Sequence, residues 1–219
     1  MSYYCFIQAR YSSKRLRGKV LKKFGKLTLI EILLKRLQLS KQITKIIVLT
    51  SNTKYDKKIV NLCKRNNIDF YCGSLNNVFS RFKGAIKRYK PKKIIRISAD
   101  SPLLDWRLID KMINLSKKEN SYDIISNIKK RTFPKGQSVE ILKSEIFNLS
   151  SNLLTKDQKE HVTKFFYFTK NYKIFNYQSK KNYNKYNLSV DNYDDYSIIS
   201  KIIKKKSIFG TWKSYVKEL

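Results

Sequence analysis

The sequence is short of the residues that build metal clusters and disulfide frameworks. It has one histidine and three cysteines and contains no CxxC pair, which excludes a zinc site of standard spacing. Cys5, Cys63 and Cys72 lie far apart in the chain, so we expect them to be reduced and in or near the core. A Walker loop and a GxGxxG motif are also missing, which excludes two familiar kinds of phosphate loop.

Long apolar runs are missing as well. No segment approaches the roughly 18 consecutive apolar residues of a spanning helix, so no membrane span is predicted. The stretch 1–9 lacks the basic start and apolar region of a secretory signal, and we expect a cytoplasmic protein. With 42% hydrophobic and 13% aromatic residues, the composition indicates a folded globule, and we predict one domain over residues 1–219.

Acidic residues are scarce. There are 16 of them against 48 basic residues, which gives a formal net charge of +32. This charge raises nucleic-acid binding as an alternative function, with the aromatic and lysine residues of 167–186 as a stacking surface. Only 10 basic residues are arginines, however, and the 38 lysines are spread over nearly every segment. We interpret most of the excess as solvated surface that attracts polyanionic substrates, and we predict no specific nucleic-acid partner.

Strand-like and helix-like patterns alternate along the first half of the chain. The predicted strands are 3–8, 46–50, 68–72 and 94–97. Helices are predicted after a capping box of Thr28 and Glu31, over 55–66, over 76–89 and after an N-cap at Asp105. This order predicts βαβ units and an α/β fold with a mainly parallel sheet. Ligands of such sheets bind at the carboxyl ends of the strands, here the loops after Gln8, Thr50, Cys72 and Ser98.

The second half of the chain is less regular. Strands are predicted over 124–128, 139–142, 172–177 and 186–190, and a helix is predicted over 155–169. A further helix is predicted to follow Asp191 and to extend through Ile203. No internal repeat or long linker divides the chain.

The most informative stretch is QARYSSKRLRGKVL, residues 8–21, between the first predicted strand and a helix. Its candidate phosphate-binding residues are three of its cations, two small donors and one flexible point, namely Arg10, Arg15, Lys19, Ser12, Ser13 and Gly18. Converging guanidinium groups suit the closely spaced oxygens of a triphosphate. The alternative is an ordinary basic surface loop.

The run QARxSSxRLxGKVL, in this setting, resembles the nucleotide loop of the sugar-activating cytidylyltransferases. It is most similar to the SpsF-like spore-coat polysaccharide branch, and more distantly to the Kdo and acylneuraminate CMP-sugar synthetases. Six further stretches resemble family elements in order: TSNTKYDKKIVNLCKRNNI, GSLNNVFSRF, IRISADSPLLD, GQSVEIL, KEHVTKFFY and LSVDNYDDYSII. The resemblance extends from about Tyr4 to Ile203. Two positions differ from the family pattern: Arg17 stands where the family usually has proline, and Asn77 stands where an acidic residue is common.

The resemblance implies a Rossmann-like nucleotide-diphospho-sugar transferase fold, a three-layer α/β/α structure with a mixed, mainly parallel sheet. It implies an enzyme that transfers CMP from CTP to an acidic sugar of the ulosonic acid type, giving a CMP-sugar and pyrophosphate for surface polysaccharide or glycan biosynthesis. Mg²⁺ is the expected cofactor. A homodimer is the expected assembly, with 120–190 as the candidate region for its contacts.

The resemblance also implies roles for individual residues. Asp100 and Asp191 follow predicted strands and are the expected metal ligands, with a turn former and an N-cap as the respective alternatives. Arg10, Lys19 and Asp100 are the expected catalytic residues, and Lys19 offsets charge on the leaving pyrophosphate. The expected nucleotide-binding residues are Gln8, Ala9, Arg10, Ser12, Ser13, Arg15, Lys19, Thr50, Ser51, Ser74, Arg81 and Ser98.

The acceptor sugar is expected to contact Glu140, Glu160 and His161, with a structural role as the alternative for His161. Arg81 is expected to approach the nucleotide or the sugar carboxylate, with a surface helix arginine as the alternative. No Ser-His-Asp or Cys-His arrangement is readable, so covalent catalysis is not expected. Two alternatives keep the fold: a nucleotidyltransferase with another NTP or acceptor, and an inactive family member that acts as a scaffold.

Overall fold

The computed structural model describes residues 2–219 and contains nine strands and eight α-helices in that range. The strands are β1 (Tyr3–Gln8), β2 (Lys23–Phe24), β3 (Leu27–Thr28), β4 (Lys45–Ser51), β5 (Asp69–Gly73), β6 (Lys93–Ser98), β7 (Ile124–Ser126), β8 (Glu140–Lys143) and β9 (Ile174–Asn176). The helices are α1 (Leu29–Leu37), α2 (Lys57–Arg65), α3 (Val78–Tyr89), α4 (Trp106–Lys118), α5 (Lys156–Glu160), α6 (Lys164–Phe168), α7 (Tyr193–Lys205) and α8 (Trp212–Val216).

Seven strands form one sheet in the order β5-β4-β1-β6-β8-β7-β9, while β2 and β3 form a small separate hairpin. Only β8 is antiparallel to its neighbours, so the sheet is mixed and mainly parallel, as predicted. The next strand of the sheet, β4, pairs with one side of β1, and β6 later pairs with its other side. The crevice beyond Gln8 and Ser98, which pair in register, is therefore the switch point where α/β sheets bind ligands.

Side chains alternate between the two faces of β1 and enter two apolar layers. Tyr3, Cys5 and Ile7 are buried against α1, α2, α4, α7 and α8, whereas Phe6 is buried against α3 and α6. Helices thus cover both faces of the sheet, as the predicted three-layer fold requires. Cys5 and Cys63 are buried, Cys72 is half-buried, and all three are free, as expected.

The first half of the chain follows the predicted order closely. Each predicted strand and helix there is present, with ends within about two residues of those expected. The capping box of α1 is present, because Thr28 N donates to Glu31 Oε2 at 2.8 Å and Glu31 N donates to Thr28 Oγ1 at 3.4 Å. Asp105 caps α4 by accepting from Arg107 N at 3.1 Å.

Two predictions in the second half were wrong. Residues 155–169 form two helices instead of one, because the backbone leaves the helical region at His161 (φ −94°, ψ 74°). The break coincides with the burial of Val162 in the apolar layer that contains Phe166. Glu160 and His161 remain at the surface of the crevice.

Residues 186–190 form no strand and make a single bridge, between Asn187 and Lys135. Leu188 and Val190 are buried, which accounts for the strand-like alternation. Asn187 Oδ1 accepts from Ser189 N at 2.9 Å, and such local bonds compete with a sheet ladder. Within residues 2–219, no helix has the length and apolar character of a transmembrane segment.

Candidate active site

A cleft of about 390 Å³, here called the first cleft, opens at the ends of β1 and β6. Its wall combines the loop after β1, the loop after β6, the break between α5 and α6, and the segment before α7. The lining residues are Gln8, Arg10, Ser13, Lys14, Arg15, Lys19, Val20, Ser98, Ala99, Asp100, Glu160, His161 and Asp191. Ten of these were predicted site residues, which the fold brings together from four parts of the chain.

Lys19 is the centre of charge in the first cleft. Its Nζ lies 3.0 Å from Asp100 Oδ2 and 2.8 Å from Asp191 Oδ1, and the Lys19 side chain is only 12% exposed. The two aspartates are held near each other because Val190 N donates to the Asp100 carbonyl at 2.8 Å. Two carboxylates from distant segments therefore meet on one cation.

Asp191 receives more cations than any other group in the cleft. Arg15 Nη2 lies 3.0 Å from its Oδ2, and Lys135 Nζ also contacts that oxygen. Burial by itself raises the pKa of Asp191, but hydrogen bonds from Lys135 and Lys19 outweigh it and hold the pKa well below its ordinary value. The alternative role of Asp191 as an N-cap is wrong, because Asn192 caps α7.

The loop that carries these cations is tied down at both ends. Tyr11 N donates to Asp56 Oδ1 at 2.7 Å, and Gly18 N donates to the Tyr11 carbonyl at 2.8 Å. Gly18 has φ 69°, and a Cβ there would lie 2.7 Å from the Tyr11 ring, so this position requires glycine. Arg17 lies over the stacked rings of Tyr11 and Tyr55, with 4.8 Å between its guanidinium carbon and the Tyr55 ring centroid.

Arg10 and Glu160 form the opposite wall of the first cleft. Both terminal nitrogens of Arg10 donate to Glu160 Oε1 at 3.3 Å. His161 lies beside them, with its side chain 64% exposed. Its side chain lines the cleft, as expected for a contact residue, and its Nε2 also lies 3.6 Å from Asp157 Oδ1.

Several predicted nucleotide contacts lie off the wall of the first cleft. Thr50 and Ser51 are buried. The Asp56 carboxylate accepts hydrogen bonds from both the hydroxyl and the backbone N–H of Ser51. Ser74 is exposed and accepts from Asn77 N at 3.0 Å. Ala9 is buried and Ser12 is exposed, so neither side chain lines the cleft. Asn77 itself caps α3 by accepting from Ser80 N at 2.9 Å.

Arg81 has an unusual environment. It is 1% exposed, so the alternative of a surface arginine is wrong, yet its three guanidinium nitrogens have no hydrogen-bond partner among residues 2–219. Burial lowers its pKa to about 10, while the charge of Asp56 acts to raise it and that of Arg10 to lower it. Buried donors are nearly always paired, so these three nitrogens are an exception that residues 2–219 do not satisfy.

Glu140 does not face the first cleft. It is buried, forms an ion pair with Arg96, and accepts from the Tyr167 hydroxyl at 2.8 Å. Its carboxylate therefore organises neighbouring side chains instead of lining the surface where the acceptor was expected. The predicted direct contact between Glu140 and a sugar is not compatible with this burial.

Sequence reasoning missed Lys135 and Asp56, which support the site from outside the basic loop. Lys135 reaches Asp191 from the turn of Pro134 and Gly136. Gly136 has φ 88° and lies so close to Leu188 that a Cβ would be 2.5 Å from its carbonyl carbon. Lys135 was missed because its partner, Asp191, is more than fifty residues away in the sequence.

The pair Asp100 and Asp191 fits a magnesium ion. Mg²⁺ is usually bound by one or two carboxylates together with substrate phosphates, and here two carboxylates already converge on a cation. Residues 2–219 contain no cluster of three or more side chains that could hold a metal without such phosphates. The donor set therefore suits a metal that arrives with a polyphosphate.

A sequence profile of the cytidylyltransferase family matches residues 4–218. The chain is 30% identical over 212 residues to the spore coat polysaccharide biosynthesis protein SpsF of Bacillus subtilis (strain 168), an alignment that covers 91% of this chain and 85% of SpsF. These matches confirm the resemblance seen in the nucleotide loop.

Solved structures agree with this assignment. A cytidylyltransferase from Leptospira borgpetersenii serovar Hardjo-bovis (strain JB197) superposes with a TM-score of 0.94 at 28% identity, covering 99% of this chain and 93% of that one. A CMP:2-keto-3-deoxy-manno-octonic acid synthetase complexed with CTP shares the fold, with a TM-score of 0.73 at 11% identity and coverage of 94% and 99%. The chain therefore belongs to the cytidylyltransferase family and is a nucleotidyltransferase.

Proposed function

We propose that the protein transfers CMP from CTP to a hydroxyl group of an acidic sugar, releasing pyrophosphate and forming a CMP-sugar for surface polysaccharide or glycan biosynthesis. One observation carries this proposal: the basic loop after β1 faces two carboxylates that meet on Lys19. The family match and the similarity to SpsF support the same chemistry.

The triphosphate is proposed to bind Arg10, Arg15 and Lys19. Each of these cations is paired with a carboxylate of the cleft, so a polyphosphate competes with Glu160, Asp191 and Asp100 for them. Asp100 and Asp191 would hold Mg²⁺, which when bound neutralises phosphate charge. The metal would then balance the two carboxylates in place of the cations that move to the phosphates. Lys19 then stabilises charge on the departing pyrophosphate.

Arg81 is proposed to contact the nucleotide and not the sugar. Arg81 packs against Gly73 at the end of β5, and the charges of Asp56 and Arg10 act on the pKa of its guanidinium. The unpaired nitrogens would donate to acceptor atoms of the base or ribose. A bound nucleotide would thus satisfy donors that the protein itself leaves unpaired.

The chemical step needs alignment more than covalent help. The acceptor hydroxyl oxygen forms a bond to the α-phosphorus, the bond from that phosphorus to the bridging oxygen of pyrophosphate breaks, and the hydroxyl proton leaves to solvent. The chain contributes fixed cations around the phosphates and an acceptor wall at Glu160 and His161.

The experiment measures pyrophosphate release from each NTP with Mg²⁺ and a panel of ulosonic acids. We expect release with CTP, and loss of nearly all turnover in Asp100→Asn with the fold retained. Asp194→Asn is the matched control, because Asp194 is exposed at the start of α7. Release with UTP but not CTP would overturn the base assignment, and near-normal turnover of Asp100→Asn would reject the site.

A further inference from the structure

A second cleft of about 530 Å³ lies beside the first and is not part of the nucleotide site described above. It is formed by the end of α5, by α6 and by the segment after β7. His161 lines both clefts, so the two are continuous at that side chain. A molecule seated in the second cleft can therefore extend toward the phosphates in the first.

The second cleft is basic. Arg96, Lys129 and Lys164 line it, and its lining contains no aspartate or glutamate. Two of these cations are paired. Arg96 forms an ion pair with buried Glu140, and Lys164 Nζ lies 2.6 Å from Asp157 Oδ2. The Lys129 side chain is exposed and has no ion-pair or hydrogen-bond partner within residues 2–219. The cleft therefore carries one uncompensated positive charge, that of Lys129, which favours an anionic ligand.

One wall of the second cleft is aromatic and open. Phe168 is 76% exposed, and Lys164 Nζ lies 5.8 Å from its ring centroid. Tyr167 is fixed beside it, because its hydroxyl donates to Glu140 Oε1 at 2.8 Å and lies 2.7 Å from Ser126 Oγ. An exposed ring next to a cation, over a rigid floor, fits a ligand with one apolar face and one anionic group.

We propose that the second cleft is the acceptor subsite, in which Lys129 and Lys164 bind the carboxylate of the acidic sugar and Phe168 packs against the apolar face of its ring. This inference rests on the proposed function. The attacking hydroxyl then points past His161 toward the α-phosphorus in the first cleft. The acceptor carboxylate serves recognition and does not attack, so the product is a CMP ester of a hydroxyl and not an acyl–CMP anhydride.

The test is a calorimetric titration with 2-keto-3-deoxy-manno-octonic acid and, separately, N-acetylneuraminic acid. We expect at least one acid to bind saturably, and its neutral methyl ester to bind about tenfold more weakly, because a charge-assisted contact is lost. Lys129→Ala and Phe168→Ala should each weaken binding of the acid by about tenfold.

Two matched variants control for charge and for aromatic surface. Lys130→Ala removes an exposed lysine next to Lys129, and Phe209→Ala removes a ring that is 42% exposed elsewhere. Both should bind the acid within about twofold of the parent protein, as expected for surface changes outside the site. All four variants should bind CTP like the parent protein.

The acceptor subsite would be overturned if neither acid bound saturably, or if mannose 1-phosphate bound as well as the acid. A fall in CTP affinity in Phe168→Ala would also overturn it. So would a shift of Phe168→Ala to smaller oligomers with its affinity for the acid unchanged. Failure of the proposed function is distinguishable: CTP would then not bind or turn over, while binding of the acid would still depend on Lys129.

Discussion

At the scale of single residues, the first cleft holds more positive than negative charge. Lys19, Arg15 and Lys135 all reach Asp191, and Asp100 adds one further carboxylate. Because the Arg15 and Lys135 side chains are largely exposed, their ion pairs with Asp191 are weak enough to be exchanged for a stronger anion. A triphosphate is such an anion, and the surplus of cations is the electrostatic reason for the nucleotide assignment.

Replacement of Arg81 should separate stability from binding. In Arg81→Met, a buried guanidinium with unpaired nitrogens is exchanged for an apolar chain of similar length. We expect the free energy of unfolding of the ligand-free protein to rise by about 1–3 kcal/mol, because buried unpaired polar groups are destabilising. CTP affinity should fall at least about tenfold, since a charge-assisted contact is lost.

Denaturant unfolding and CTP titration measure both effects of Arg81→Met. Arg88→Met, at an exposed position of the same helix, should change neither. A variant that is less stable than the parent protein and binds CTP normally would show that Arg81 serves the fold and not the nucleotide.

Sequence reasoning found the charged centre of the site but not its surroundings. Lys19, Asp100 and Asp191 were identified because their motifs resemble family elements; the strand predicted before Asp191 does not form. Thr50 and Glu140 were placed on the cleft wrongly, since the burial of a polar strand residue depends on partners from other elements. Those partners have no local sequence signal.

At the scale of elements, the phosphate loop is held by an aromatic clamp. Arg17 replaces a residue that is usually proline in the family, and it lies over the rings of Tyr11 and Tyr55. Proline stiffens a loop through its fixed φ, whereas here a cation–π contact restrains the same turn. We infer that this contact preorganises the loop for phosphates.

Arg17→Ala should weaken CTP binding by about threefold, because an exposed cation–π contact contributes about 0.5–1 kcal/mol. Tyr55→Ala should have a similar effect, and the double variant should be no weaker than either single variant. Titration calorimetry with CTP gives this double-mutant cycle, and Lys26→Ala, on an exposed turn, is the control. Additive losses would mean that the two side chains act independently of each other.

The elements of the first half were predictable, because their apolar periods match the strands and helices that form. The break between α5 and α6 was not, since the sequence 155–169 suits one helix and the break coincides with the burial of Val162, which depends on other elements. Likewise, 186–190 has a strand pattern, yet it packs against Gly136 and pairs through one bridge.

At the scale of the whole molecule, Arg36 joins the end of the chain to the site. It is fully buried; its Nε donates to the Leu104 carbonyl at 2.8 Å and its Nη1 to the Tyr215 hydroxyl at 2.8 Å. It also donates to the carbonyls of Leu103 and Gly210. The segment just after Asp100 is thereby fastened to the region around α8.

Arg36→Met should lower the free energy of unfolding by about 3–5 kcal/mol, because it leaves several buried acceptors unpaired. CTP turnover should fall with it, since Asp100 loses the support of the following segment. Urea unfolding and pyrophosphate release measure the two effects, and Lys35→Met, exposed on the same helix, is the control. Unchanged stability would refute the proposed link.

The expected homodimer and cytoplasmic location stay predictions.

The affinity of Mn²⁺ for the protein–CTP complex, measured by electron paramagnetic resonance, shows whether Asp191 holds the metal. We expect one tightly bound ion that competes with Mg²⁺, and a loss of at least about tenfold in affinity in Asp191→Asn, where a ligand charge is removed. Asp194→Asn should bind like the parent protein. Unchanged Mn²⁺ affinity in Asp191→Asn would contradict the claim that this carboxylate holds the metal opposite the phosphate-binding cations.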